Sequence, residues 1–170
     1  VWAQSFLYDD VIYWIQHEPA FGRQAVFLNT LNTPADYPTL AEFEAMRAQG
    51  VRITAPPMWA LLDLDANGKI IPSQFAINAR AAGLDIITWT LERSGILADG
   101  NGGSYYQTIT PALNNEGDTY EALDVIARMS AILGHVGAWA PRPEQVATAA
   151  LLEDSAAIQA YHAAFKPAVA

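Results

Sequence analysis

The sequence predicts a single α/β domain built on a parallel sheet. Short β-prone apolar runs alternate with capped helical stretches along the chain. Those runs are apolar at successive positions, so neither face of a strand suits water, as in sheets covered by helices. No internal repeat or low-complexity linker divides the 170 residues, which are enough for one well-buried core.

Taken in order, residues 1–6 make the first strand, and Tyr8-Asp9-Asp10 offers helix N-caps ahead of Val11, Ile12 and Ile15 at helical spacing. After turn-rich residues 19–22, Gln24-Ala-Val-Phe-Leu28 makes a second strand. Thr39-Leu-Ala-Glu42 is a capping box opening a helix that Gly50 closes. Residues 51–54 supply a third strand, which Pro56-Pro57 ends before a helical turn through Trp59 and Leu62. Asp65-Ala-Asn-Gly68 turns the chain, Pro72-Ser73 starts a helix that Gly83 ends, and residues 84–91 give the strongest strand signal. A Gly-rich loop at 99–104 follows. Asp118-Thr-Tyr-Glu121 then caps a helix with Leu123, Ile126 and Met129 on one side, and a further strand lies within 132–139. Two Ala-rich helices, from Pro143 and over 155–165, complete the reading.

Composition narrows the function classes. Eighteen acidic residues against nine basic ones give a net charge of −9, and the basic residues are spread singly from Arg23 to Lys166. Without a basic patch, that charge repels nucleic acid and anionic lipid, so no nucleic-acid partner is expected. The absence of cysteine excludes disulfides and thiolate metal sites but leaves the compartment open. No apolar run approaches the ~20 residues that a membrane span needs. Asp63-Leu-Asp65-Ala-Asn67-Gly68-Lys-Ile70 imitates the start of a calcium loop, but its twelfth position is Gln74 rather than Glu, and Asp-Ala-Asn-Gly is a good tight turn by itself. His17, His135 and His162 lie in different elements with no ligand spacing.

A complete (β/α)8 barrel needs ~200–250 residues, so this length suits an open doubly wound sheet or part of a barrel. Three segments favour the latter. They are Ala3-Gln-Ser-Phe6; Lys69-Ile-Ile-Pro-Ser73 with Ala79-Arg-Ala-Ala-Gly83, Ile87-Thr-Trp-Thr-Leu-Glu-Arg-Ser-Gly95 and Tyr105-Tyr-Gln107; and Tyr120-Glu-Ala-Leu-Asp-Val-Ile-Ala127 leading to Gly137-Ala-Trp-Ala-Pro-Arg-Pro143. Together they resemble the C-terminal part of glycerophosphodiester phosphodiesterases over about residues 1–150, with 151–170 as a C-terminal helix. The resemblance implies a partial TIM barrel, roughly strands 5 to 8 with their helices. Its parent would be a periplasmic or secreted enzyme that uses a divalent metal, calcium or magnesium, to hydrolyse glycerophosphodiesters to an alcohol and glycerol 3-phosphate. The family's catalytic His-Arg, metal carboxylates and Glu-Lys precede the fifth strand and have no counterpart here, so the isolated chain is expected to be an inactive fragment. One departure stands out: Ala140-Pro141 replaces the usual Ser-Asp or Thr-Asp of the last strand.

The resemblance assigns the substrate-side walls to this chain. Gln4 and Phe6 close the first strand, and Trp89, Glu92 and Arg93 sit at the end of the strongest one, where barrel enzymes carry their sites. Trp89 and Phe6 would pack on the alcohol, Gln4 would hydrogen-bond a phosphate or glycerol oxygen, Arg93 would hold phosphate through its planar fork, and Glu92 would accept from a hydroxyl or orient Arg93. The plain alternatives are barrel filling for the aromatics and a surface ion pair for Glu92 and Arg93. Strand alternation puts Glu92 opposite Trp89, so both reach one pocket only if the strand has ended before them. Rival functions are a glycoside hydrolase using Glu92 and a non-catalytic half-barrel that self-associates through open strand edges.

Overall fold

The structure, a computed structural model, describes residues 2–90, 92–128 and 131–133, with side-chain surroundings as far as Ile126. The chain passes through β1 (Gln4–Ser5), α1 (Tyr8–His17), the short α2 (Pro19–Gly22), β2 (Val26–Leu28), α3 (Leu40–Ala48) and β3 (Ile53–Ala55). It continues through β4 (Leu62–Leu64), β5 (Ile70–Pro72), α4 (Gln74–Ala81), β6 (Asp85–Thr88), α5 (Asp118–Arg128) and β7 (Ala131–Leu133). The expected strand residues 134–139, Ala140-Pro141 and both C-terminal helices lie outside the described residues.

β1, β2, β3, β6 and β7 form one sheet in chain order, and every neighbouring pair is parallel. Sequential order joined by right-handed crossovers lays all connecting helices on one face. The packing agrees. Val11 of α1, Phe43 of α3, Phe75 and Ala79 of α4, and Ala122 and Ile126 of α5 share one buried cluster with Ile86 of the sheet. The register puts Gln4, Val26 and Ile53 side by side, with Leu28 and Ala55 two residues on, so these side chains project from the opposite face. There Val26, Leu28, Ile53, Ala55 and Ile87 form a second cluster with Trp89 against it, to which no helix among the described residues contributes.

The expected α/β class and parallel sheet are therefore present, with one correction to the count. Strands 5 to 8 of a barrel would supply four strands, whereas the sheet has five. Residues 24–28 and 51–54 each form a strand of their own between the Gln-Ser-Phe strand and the Trp-Thr strand, where the resemblance leaves room for one.

Several local signals act as their chemistry predicts. The Thr39 N–H donates to Glu42 Oε2 at 2.7 Å and the Glu42 N–H to Thr39 Oγ1 at 3.3 Å, closing the capping box of α3. These contacts, led by the Thr39 backbone N–H, hold the Glu42 carboxyl below its ordinary range. Gly50 and Gly83 end α3 and α4 with φ of 100° and 77°, the left-handed conformation that favours glycine. Ser73 caps α4 by accepting the Ala76 N–H, and its hydroxyl donates to the Ala60 carbonyl.

Other elements differ from expectation. α1 begins at Tyr8 with Leu7 as its cap residue, because Ser5 accepts the Leu7 N–H and donates to Asp10 Oδ2, leaving Asp9 and Asp10 inside the first turn. β4 and β5 form an antiparallel hairpin around the Asp65 turn, where only a turn was expected. In that turn Asp65 Oδ1 accepts the N–H groups of Asn67 and Lys69 at 2.8 and 2.9 Å, so the calcium-like pattern serves as hairpin geometry. Asp118 is the first residue of α5 rather than its cap, and its buried carboxylate turns back to accept the N–H groups of Asn114 and Asn115 at 2.6 and 3.0 Å.

Candidate functional site

In parallel sheets, ligands gather beyond the C-terminal ends of the strands, where the connecting loops leave a mouth. A cavity of about 370 Å3 lies there. Its lining is Gln4 and Phe6 from the end of β1, Leu28 from the end of β2, Trp89, Thr90 and Glu92 from beyond β6, and Tyr105 from the loop that follows.

Trp89 is the fixed centre of this lining. β6 is held on the Pro56-Pro57 segment to its end and one residue beyond: Thr88 Oγ1 donates to the Pro56 carbonyl at 2.9 Å, and a parallel bridge pairs Trp89 with Pro57, the Met58 N–H donating to the Trp89 carbonyl at 2.7 Å. The indole N–H donates to the Ala55 carbonyl at 3.0 Å, satisfying the ring's one polar atom on β3. Phe6 meets the indole edge-to-face, with centroids 5.9 Å apart and planes at 88°, and Tyr105 meets it at 5.9 Å and 75°. Strand pairing ends with this Trp89 bridge, so the alternation that would have set Glu92 on the opposite side does not continue beyond it. Trp89 and Glu92 line the same cavity.

Arg93 is placed elsewhere. Its guanidinium pairs with Glu116, both side chains being nearly half exposed. The other oxygen of Glu116 accepts the N–H groups of Leu97 and Ala98 at 2.8 and 3.3 Å, so this carboxylate holds the loop after β6. The two residues should therefore differ in weight. Arg93→Ala removes one exposed ion pair and is expected to cost under about 1 kcal/mol. Glu116→Ala also strands two backbone donors and is expected to cost roughly 1–3 kcal/mol. Urea unfolding of the two variants checks this order.

The Gly-rich loop is folded rather than free. Leu97, Tyr106 and Ile109 are buried in the helix-side cluster, and the Ser94 N–H donates to the Gly102 carbonyl at 3.1 Å. A Cβ on Gly102 would come within 2.6 Å of the Tyr106 Cβ, so glycine is needed for the loop to close over that ring. Burial of Tyr106 in turn fixes its neighbour Tyr105 against Trp89. A second, wider depression of about 850 Å3 lies on the loop itself, among Ser94, Asp99, Asn101 and Gln107, away from the strand ends.

Of the five residues read from the sequence, the cavity gathers Gln4, Phe6, Trp89 and Glu92 but not Arg93. Tyr105, Thr90 and Leu28 were not read as lining. For Tyr105 the available signal was an aromatic pair directly after a glycine-rich loop, one ring for the core and one for the mouth. Among the described residues, no three His, Asp or Glu side chains come together as metal ligands. None of the helices among them is long and apolar enough to cross a membrane.

No protein-family model matches the chain. No solved structure matches it either. A protein of Arthroderma benhamiae named "Extracellular protein" is 37% identical to it over 143 residues. That match takes in 82% of this chain and 58% of the relative's length.

Proposed function

We propose that the chain is the C-terminal part of a secreted glycerophosphodiester phosphodiesterase barrel and that its cavity is the wall receiving the alcohol group of the substrate. The observation that carries this reading is the cavity itself: three aromatic rings, an amide and a carboxylate at the C-terminal mouth of a sheet wound in one direction, with helices on one face among the described residues. Sequential strand order with one-sided helices belongs to a closing barrel, whereas a doubly wound sheet carries helices on both faces. The five strands then stand as the fourth to eighth. The fungal relative's name supports secretion.

No basic side chain lines the cavity, so it suits the uncharged or cationic end of a phosphodiester better than the phosphoryl group. Phe6, Trp89 and Tyr105 offer ring surface to the carbon skeleton, and Gln4, Thr90 and Glu92 offer hydrogen-bonding groups to hydroxyls. The divalent metal and the acid and base histidines would come from residues outside the described set. When bound, the metal polarises the phosphoryl oxygens. The residues of this chain orient the leaving alcohol and keep its side of the mouth from water.

Glu92 is the one carboxylate among the described residues that line the cavity, whereas a glycosidase needs a second ~5–9.5 Å away. Asp85 begins β6 at the opposite end of the strand, and Asp99 lines the separate loop depression. The test is release of glycerol 3-phosphate from a panel of glycerophosphodiesters by the full-length protein with calcium or magnesium. Hydrolysis that a chelator stops is expected. No turnover of any diester with either metal would overturn the assignment.

A further inference from the structure

We propose that Asn101 is a self-modification site, at which the Gly102 backbone nitrogen closes on the Asn101 side chain and converts the residue to aspartate and isoaspartate. The reaction needs the chain itself and water. An asparagine before glycine is open to it because glycine has no side chain to hinder ring closure. The Gly102 nitrogen gives its proton to solvent and bonds to Asn101 Cγ. The Cγ–Nδ2 bond breaks, and the side-chain nitrogen takes a proton and leaves as ammonia. Water then opens the cyclic succinimide at either carbonyl. One opening leaves aspartate, and the other leaves isoaspartate, whose main chain runs through the former side chain.

The sequence offers three pairs that could close in this way: Asn67-Gly68, Asn101-Gly102 and Asp99-Gly100, the last by losing water instead of ammonia. The fold holds the glycine nitrogen in two of them. The Gly68 N–H donates to the Asp65 carbonyl at 3.0 Å, and Asp65 Oδ1 accepts the N–H groups of Asn67 and Lys69 on either side. The Gly100 N–H donates to the Leu97 carbonyl at 2.8 Å. A nitrogen held in this way must give up its hydrogen bond before it can attack. Gly102 differs. Among the described residues no acceptor takes its N–H, and the exposed Asn101 side chain makes no hydrogen bond. Asn101 also lines the open loop depression with Asp99 and Ser104, so water reaches its amide.

The isoaspartate form adds a methylene to the main chain where the packing leaves no space. Gly102 is buried, and even a Cβ on it would come within 2.6 Å of Tyr106 Cβ and 3.1 Å of Leu113 Cδ1. Displacing Gly102 moves the carbonyl that accepts the Ser94 N–H and disturbs Tyr106, the fully buried ring next to Tyr105. Conversion therefore loosens the loop that sets Tyr105 against Trp89, whatever the cavity binds.

The test is incubation of the full-length protein in heavy-oxygen water with peptide mass spectrometry, beside a sample kept unfolded in urea. In urea the two Asn-Gly pairs are expected to convert at similar rates. In the folded protein, conversion at Asn101 is expected to be about tenfold or more faster than at Asn67, with uptake of heavy oxygen at each conversion. Asp65→Ala removes the carboxylate that clamps the Asn67 turn and should bring Asn67 towards the Asn101 rate. Conversion at Asn67 as fast as at Asn101 in the folded protein, a halt at both sites on folding, or no rise in Asp65→Ala would overturn the proposal. The isoaspartate fraction is also expected to melt below the Asn101→Asp variant, which has the same charge on an unlengthened chain. Equal melting would remove the link to Tyr106.

Discussion

Replacing Trp89 by alanine is expected to abolish ligand binding at the cavity, with a loss of about a hundredfold or more, equivalent to about 2.7 kcal/mol. The indole is the common neighbour of Phe6 and Tyr105, so its removal leaves two rings with nothing between them. It also covers the sheet-side cluster of Val26, Leu28, Ile53, Ala55 and Ile87, and its N–H donates to the Ala55 carbonyl, which accepts the Asn29 N–H as well. Because the side chain is half-buried, the accompanying loss of stability should fall near the lower end for large aromatic truncations, about 3 kcal/mol. Trp89→Phe separates the two effects. It keeps a ring on the floor and loses one hydrogen bond, so it should cost about 1 kcal/mol in stability while retaining measurable binding. Calorimetric titration and urea unfolding of both variants supply the comparison.

The second large effect belongs to the scaffold. Phe75→Ala is expected to destabilise the protein by about 3–5 kcal/mol, lowering the melting temperature by on the order of 10 °C. Phe75 is fully buried at the start of α4, edge-to-face with Phe43 of α3 at 5.1 Å and with Tyr37 at 5.7 Å. Its loss opens a cavity where α3, α4 and the segment before α3 meet, and the surrounding helices are pinned by the Thr39 and Ser73 caps. Phe75→Leu, which keeps most of the volume, should cost well under half as much. A similar loss for both variants would mean that the ring contacts rather than the filled volume hold this corner. No loss for either would contradict the packing described.

What the sequence made legible follows the range over which each signal acts. The Thr39 and Glu42 capping box, the Ser73 cap and the Gly50 and Gly83 stops are set by residues within four positions, and each appears where the pattern puts it. The antiparallel hairpin was not legible, because Leu62-Asp-Leu64 and Ile70-Ile-Pro72 are three-residue strands too short to show alternation. Asp118 misled for a related reason. Its carboxylate can serve the helix ahead or the turn behind, and the two asparagine N–H groups behind it prevail.

The site divides along the same line. Placing Gln4, Phe6 and Trp89 at strand ends required only the strand assignments. Bringing Glu92 to the same cavity required knowing that strand pairing ends at the bridge of Trp89 to Pro57, a partner more than 30 residues earlier. Arg93 is drawn away by Glu116, 23 residues later, a partner that no local spacing announces. The strand assignments thus located the strand ends, while the direction of each side chain came from long-range contacts.

A crystal structure of the full-length protein with glycerophosphocholine bound is the measurement that tests the central claim most directly. The prediction is a closed barrel in which the parallel sheet of β1, β2, β3, β6 and β7 continues into further strands, with the alcohol group between Phe6 and Tyr105 over Trp89 and the phosphoryl group facing residues beyond this chain. An open sheet with helices on both faces, or a diester bound away from Trp89, would contradict it.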